Sequence, residues 1–551
     1  MADPGNQELP LWPPDAFALC LYVLQRSGAY CQVLSDWPPD RKLRNKESLQ
    51  AWAKDVTKEG LNWRLGYIKR KPLSKLIQLR WQQIREGFPV PIEDLRLESH
   101  LGLCQALLEL CAIADEACEG VGSPLQEEWP ASALREFLFL QTAAYKLQED
   151  ERGATLCDEI DASRVRVLPK MHTPQKGLNA RSLSMFLAIH EGAEVTPQWV
   201  QAARADADNP TVNLLLVPWP LRVVPSQFRE SQPVEHEMAN MSEEDFGYFC
   251  FATDGNEPDF AERIGLLLEQ ATQEVGPIDM VVFPELALTE KQFAAVTRRL
   301  AKYNVLVLAG VGRPSAHAVH ALNEVRVYVP SLNLFSQAKH HRWKLDRPQI
   351  QQYGVGGSLE LSRAWWEHVK LGDRRLFFFS ILSNLTLCVL ICEDLARPDP
   401  VGDLVRAVGP DLVIALLMDG PQISGRWAAR HATTLADDPG SSVLCLTSLG
   451  MSEISRPAAG TQDRGRVVVL WKDGTDMRQF ELPARKDAMV LSLCAQDADE
   501  WSADGRQALC GCPSLSGVHF MKIPDAPTKK ATSGKKRTRK PERASAATGR
   551  R

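Results

Sequence analysis

The chain has 551 residues and a formal net charge of −5, with 44% hydrophobic and 24% charged residues. At roughly 100–200 residues per domain this predicts two to four domains, and so ordinary a composition excludes global disorder, collagen-like repeats and a coiled coil. The longest uninterrupted apolar runs, residues 17–24 and 412–418, fall far short of the ~20 residues that cross a bilayer, so no membrane partner is expected.

The opening stretch, MADPGNQELPLWPPD, is acidic and proline-rich and lacks the basic start of a secretory signal. Thirteen cysteines are scattered along the chain. That pattern predicts free thiols and a cytoplasmic location. CxxC pairs do not recur at zinc-like spacing, and Cys510-Gly-Cys512 alone reads as two neighbouring structural cysteines. Neither a metal nor a cofactor is expected.

Residues 1–205 read as a mostly helical accessory domain. Residues 100–117 place Leu101, Leu107, Leu108, Leu110, Cys111 and Ile113 on a broad apolar face at helical spacing, and residues 132–148 do the same after Pro130. Residues 64–85 hold seven Lys or Arg and no acid, with Trp63, Tyr67 and Trp81 interleaved, and residues 164–181 are basic and turn-rich. Basic residues among aromatics suit phosphate binding and base stacking, or else a solvated helix face with Trp anchors in the core.

Near residue 210 the texture changes. Strand-like runs at 212–218, 278–283, 305–308, 325–329, 385–391, 412–417, 443–447 and 467–471 alternate with helical stretches such as 260–274 and 290–303. Such alternation predicts a layered α/β domain over 206–524. The remainder, 525–551, reads as a disordered basic tail. Residues 528–551 carry ten Lys or Arg against Glu542, about +9, which leaves about −14 on the rest. This tail suits either a nucleic-acid or protein partner or a merely solubilising role.

Three local patterns carry chemistry. In Phe283-Pro284-Glu285 the proline is expected to stop a strand and leave a carboxylate just past its end. Such a carboxylate suits general-base work, although a capping or surface Glu has the same look. The strand at 385–391 is apolar on both faces and runs into Cys392-Glu393-Asp394. A cysteine at that strand-to-helix turn can be a nucleophile whose thiolate the backbone N–H groups stabilise, or a buried structural residue like Cys388. The third is a hairpin ending in Lys339-His340-His341. Its lysine can point into a pocket and hold a negative oxygen, or lie at the surface. Lys344 is a rival five residues on.

In this order the three patterns resemble the nitrilase, or carbon–nitrogen hydrolase, superfamily. The strongest match is LTLCVLICEDLARPDPVGDLVRAVGPDLVIALL, and the likeness covers about 212–493. It implies a nitrilase-like αββα sandwich, preceded here by the helical domain, and a homo-oligomer. It further implies Glu285 as general base, Lys339 as oxyanion stabiliser and Cys392 as nucleophile, acting on an amide or nitrile. Glu360 is a candidate for the family's supporting carboxylate, or a loop Glu facing solvent. Glu393 replaces an aromatic frequent in the family and brings the motif closer to the glutamine-hydrolysing domain of NAD synthetases, yet no Gly-rich SGGxDS loop for ATP is present. Thr447-Ser448 stands where many members have Asn. A reactive site would predict selective alkylation of Cys392 at neutral pH. The alternative is a nitrilase-like scaffold that binds nucleic acid or a partner protein through 64–85 and 528–551, in a bacterial defence or regulatory system.

Overall fold

The computed structural model describes residues 8–34, 46–123, 130–148, 153–192, 194–202, 211–231, 245–314, 321–330, 332–371, 374–382, 385–455 and 465–525. The basic tail at 528–551 lies outside the described residues.

Residue parity along the strands divides the α/β part into layers. Leu214 and Leu216, Met280 and Val282, and Leu306 and Leu308 face one core. Their odd or even neighbours Leu215, Val281, Phe283, Val305 and Val307 face another, formed with the helices Phe260–Val275 and Glu290–Leu300. Successive side chains of a strand point to opposite faces, so a run apolar at every position must be covered on both.

Two seven-stranded sheets result. The first has the order Asn333–Ala338, Leu322–Val329, Leu306–Arg313, Met280–Leu288, Thr211–Leu216, Ala488–Trp501, Gln507–Met521. The second has the order Met477–Glu481, Val467–Lys472, Ser442–Thr447, Leu412–Leu417, Leu385–Ile391, Arg375–Leu382, Thr196–Gln201. Strands Leu412–Leu417 and Ser442–Thr447 pack against Met280–Leu288 of the first sheet, while the helix Trp427–Asp437 covers Ser442–Thr447 and Val467–Lys472. The architecture is the expected helix–sheet–sheet–helix sandwich. A smaller four-stranded sheet, Lys344–Leu345, Ala364–Glu367, Phe246–Phe251 and Phe228–Ser231, shares an aromatic cluster with Trp343, Tyr353 and Met418.

Helices dominate the first 150 residues. Leu101–Glu116 buries Cys104, Leu107, Leu110, Cys111 and Ala114 at helical spacing. Leu134–Leu147 matches the second expected helix. The chain then turns to short strands that the sequence reading did not separate from loop. Arg166–Pro169 pairs with Leu187–His190. Thr196–Gln201 lies parallel to Arg375–Leu382 as an edge of the second sheet. Basic segment 64–85 spans two helices, Lys46–Ile68 and Lys75–Glu86. Its aromatic neighbours face inward: Trp63 is buried and donates from Nε1 to the Leu11 carbonyl at 2.9 Å, and Tyr67 packs on Trp12 with ring centroids 4.9 Å apart.

The long hairpin Ala488–Trp501 and Gln507–Met521 joins the helical part to the sheets. Arg506, beside its tip, is 2% exposed. It ion-pairs with Asp115 at 2.9 Å and Glu116 at 3.0 Å, and with Asp504 at 3.1 Å. Asp115 in turn accepts from the backbone N–H groups of Met185, Phe186 and Leu187 at 2.7–3.0 Å. Removing one partner of a buried ion pair leaves the other uncompensated. Arg506→Met is therefore expected to cost about 3–5 kcal/mol of stability, read as a lower urea midpoint. An unchanged midpoint would mean that this contact does not hold the two parts together.

Candidate active site

The strand Met280–Leu288 does not stop at Pro284. Its pairing with Leu306–Arg313 breaks after Phe283↔Ala309 and resumes at Leu288↔Val311. Pro284 to Ala287 thus bulge opposite Gly310, and Leu286 takes a φ of 51°. Proline removes the ladder N–H, and the bulge re-aims Glu285 within the strand rather than beyond its end. Gly310 permits this, because a Cβ there would sit 2.3 Å from the Pro284 oxygen and 2.5 Å from Glu285 Cα.

Lys339 follows the hairpin Leu322–Val329 and Asn333–Ala338, where its N–H donates to the Asn323 carbonyl at 3.1 Å. Its side chain is buried, and Nζ lies 2.8 Å from Glu285 Oε1 and 2.6 Å from Glu367 Oε2. Asn323 Nδ2 donates to Glu285 Oε1 at 2.8 Å and to Glu367 Oε1 at 2.7 Å. Glu285 Oε1 therefore accepts twice, whereas Glu285 Oε2 is buried and has no hydrogen-bond partner. The ammonium thus bridges the two carboxylates.

Cys392 follows the fully buried strand Leu385–Ile391. Its φ of 47° and ψ of −104° are sparsely populated for a residue with a Cβ. The turn is held by its own N–H donating to the Leu416 carbonyl at 2.9 Å and by Leu395 N–H donating back to the Cys392 carbonyl at 3.0 Å. The charges of Glu285 and Lys339 both act on the thiol. Asp394 ties this turn to the lysine loop. It accepts from the His340 N–H at 3.1 Å, the His341 N–H at 2.9 Å and His341 Nδ1 at 2.9 Å.

Burial pushes the Cys392 thiol well above its ordinary value, and the Glu285 carboxylate adds to the rise against the opposing effect of Lys339. Burial likewise raises the Glu285 carboxyl. Lys339 stays protonated, held by its two carboxylates against the cost of burial. The resting thiol is therefore neutral. Desolvation here outweighs the stabilisation that one four-residue helix, Glu393–Ala396, gives a thiolate.

The structure separates the rival residues. Lys344 is exposed and lies over the rings of Phe246 and Trp366. Glu360 is also exposed and sits 3.5 Å from Arg363. The carboxylate that supports Lys339 is Glu367, which the sequence reading passed over. It lies on the short strand Ala364–Glu367, two residues after buried Trp365, and that alternation was the available signal. Beyond the thiol, Tyr353 Oη donates to Asp419 Oδ1 at 2.5 Å. Asp419 also accepts from Trp427 Nε1 at 3.0 Å and pairs with Arg426. The Thr447 hydroxyl donates to the Asp419 carbonyl at 2.6 Å.

The sequence matches no family model and no curated protein. Among solved structures the chain is similar to Nit3 of Saccharomyces cerevisiae, a member of branch 10 of the nitrilase superfamily. Identity is 10%, the match covers 50% of this chain and 89% of that one, and the TM-score is 0.31. A variant of a nitrilase-superfamily amidase from Nesterenkonia AN1 matches at 11% identity, covering 51% and 89%, with a TM-score of 0.30. A glutamine-dependent NAD(+) synthetase from Cytophaga hutchinsonii matches at 11% identity, covering 51% of this chain and 42% of that one, with a TM-score of 0.27.

Exposure and protonation together set thiol reactivity. In the resting protein, iodoacetamide at neutral pH should label exposed Cys31 at least roughly tenfold faster than Cys392, which is 3% exposed. Peptide mass spectrometry over a time course reads this. Labelling of Cys392 ahead of Cys31 would show the thiol to be open and ionised.

Proposed function

We propose that this chain hydrolyses a non-peptide carbon–nitrogen bond, in an amide or a nitrile, through a thioester on Cys392. The observation that carries the reading is the buried, unpartnered oxygen Glu285 Oε2, beside an ammonium and under the same field as the thiol. A buried acceptor left without a donor costs roughly 1–3 kcal/mol, and an incoming thiol or water proton satisfies it.

Glu285 takes the thiol proton as sulfur attacks the substrate carbon, and a C–S bond forms. In an amide the carbonyl electrons move to oxygen, which Lys339 and the Glu393 N–H stabilise; a nitrile instead gives a thioimidate, which one further water converts to the thioester with release of ammonia. An ammonium has three donors, and two are committed to Glu285 and Glu367, so the third serves the oxyanion. As the C–N bond breaks, Glu285 returns its proton to the departing amine. Water then attacks the thioester, gives its proton to Glu285, and restores the thiol with release of the acid. Glu367 and Asn323 hold Lys339 and Glu285 in place, and Asp394 fixes the lysine loop against the cysteine turn.

Two outcomes test this against a panel of small amides and nitriles, read by ammonia release and intact-protein mass. Cys392→Ala should fold and abolish turnover, and Glu285→Gln should abolish turnover with no acyl-enzyme detected by intact mass, because acylation needs the same base. For the competent enzyme, activity should fall as pH drops through the Glu285 pKa, because the base must be ionised. Burial raises that pKa, so the acid limb of kcat/KM should lie above the ordinary carboxylate value of about 4.3. Turnover that survives Cys392→Ala would refute the mechanism.

A binding role has one supporting observation. Arg135 and Lys71 lie close enough to Lys69 to lower its pKa by repulsion, so they form a concentrated patch of positive charge. If this patch binds nucleic acid, replacing Lys69 and Lys71 by Glu should weaken binding to a labelled oligonucleotide at least tenfold at low salt and flatten the salt dependence. Fluorescence anisotropy reads both, and unchanged binding would exclude the patch.

A further inference from the structure

A second buried cluster lies at the far end of the second sheet. Asp411 immediately precedes strand Leu412–Leu417 and accepts from the Thr386 N–H at 2.6 Å. Thr386 lies at the start of the strand that leads into Cys392, so six residues, roughly 20 Å, separate the two places. In the long hairpin Ala498 pairs with Cys510 and Glu500 with Ala508. Glu500 and Cys510 are thus diagonal neighbours on one face. His172, from the loop after Arg166–Pro169, inserts against them. Its Nδ1 lies 2.8 Å from Glu500 Oε1, and its Nε2 lies 3.2 Å from Asp411 Oδ1. Cys510 Sγ is 3.3 Å from Glu500 Oε2. One ligand atom from each of His172, Glu500 and Cys510 falls within 4.8 Å of the others.

Asp411 Oδ1 faces Nε2 at 3.2 Å, an ion-pair distance without hydrogen-bond geometry, while Nδ1 is the nitrogen turned toward Glu500 and Cys510. A carboxylate that orients a histidine from behind is the outer half of a metal site. In tetrahedral zinc, with bonds of about 2.0 Å to N or O and 2.3 Å to S, ligand atoms stand about 3.3–3.5 Å apart. His172 Nδ1 lies 2.8 Å from Glu500 Oε1 and Cys510 Sγ lies 3.3 Å from Glu500 Oε2, and with all three ligand atoms within 4.8 Å of one another side-chain adjustment brings them to that spacing. The imidazole and Glu500 are buried, while Cys510 is partly exposed and leaves a way in.

We propose that His172 Nδ1, the Glu500 carboxylate and Cys510 Sγ hold a zinc ion, with Asp411 as the positioning residue behind the histidine. Cys512 Sγ lies instead near the Gly440 carbonyl and the Ser442 hydroxyl, so the three protein ligands leave the fourth position to water. Imidazole, thiolate and carboxylate together suit this ion. Charge balances: Zn²⁺ meets one carboxylate and one thiolate, releasing the Cys510 proton and the proton that otherwise sits between His172 Nδ1 and Glu500. The ion would pin the 166–172 segment to the hairpin and to the second sheet, away from Cys392.

The test uses the full chain with Cys392→Ser, so that the candidate nucleophile does not add to the count. After loading with Zn²⁺ and gel filtration against a weak chelator, about one zinc per chain is expected by mass spectrometry of the element. Co²⁺ should give a thiolate charge-transfer band. Cys510→Ser should lose both signals, and Asp411→Asn should weaken zinc affinity about 10–100-fold while keeping the band. Circular dichroism confirms that each variant is folded. Retention of no zinc by the folded Cys392→Ser protein, or equal retention after Cys510→Ser, would overturn the site.

Discussion

Placing the Lys339 ammonium in the interior constrains the whole candidate site. The effective penalty for desolvating such an ion is several kcal/mol, and only close, well-directed carboxylates offset it. Glu285 and Glu367 supply them. The two acids repel each other unless the cation stays between them, and Asn323 bridges both. Four residues from a bulged strand, a hairpin and a short aromatic strand are therefore mutually dependent. Their charges are thereby fixed in advance, which is the condition under which electrostatic interactions are most effective.

Much of this was legible in the sequence, for identifiable reasons. Strands buried on both faces show as continuous apolar runs, so Leu385–Ile391 and Leu412–Leu417 were found to within a residue. Helices with one apolar face, such as Leu101–Glu116, were found by spacing. Short or polar strands were not. Ala364–Glu367 spans four residues, too few for alternation to stand out, and with it Glu367 was missed. The hairpin Ala488–Trp501 and Gln507–Met521 has partly exposed residues along much of its length, so no run of apolar residues announces it. Pro284 looked like a strand end because proline breaks a ladder; a bulge absorbs the break instead, and whether one forms depends on Gly310 in the neighbouring strand. The depth at which Cys392 is buried was not legible for a related reason, since local turn geometry is visible in a sequence and burial is not.

The helical region is joined to the sandwich by polar as well as apolar contacts. Arg506 reaches from the hairpin to Asp115 and Glu116, while His172 and Thr173 meet Glu500 on the same hairpin. Charged groups so placed give a weak net gain in stability but a strong preference for one docking geometry, since any other arrangement strands them. The edge strand Thr196–Gln201 then fixes the register of the connection.

One consequence of the enclosed sulfur concerns survival rather than turnover. Peroxide and other oxidants attack the ionised form of a thiol, and climb toward irreversible acids only where they can reach it. Cys392 combines a neutral resting state with near-complete enclosure. It is thereby shielded from adventitious oxidation for as long as the sulfur stays protonated and enclosed.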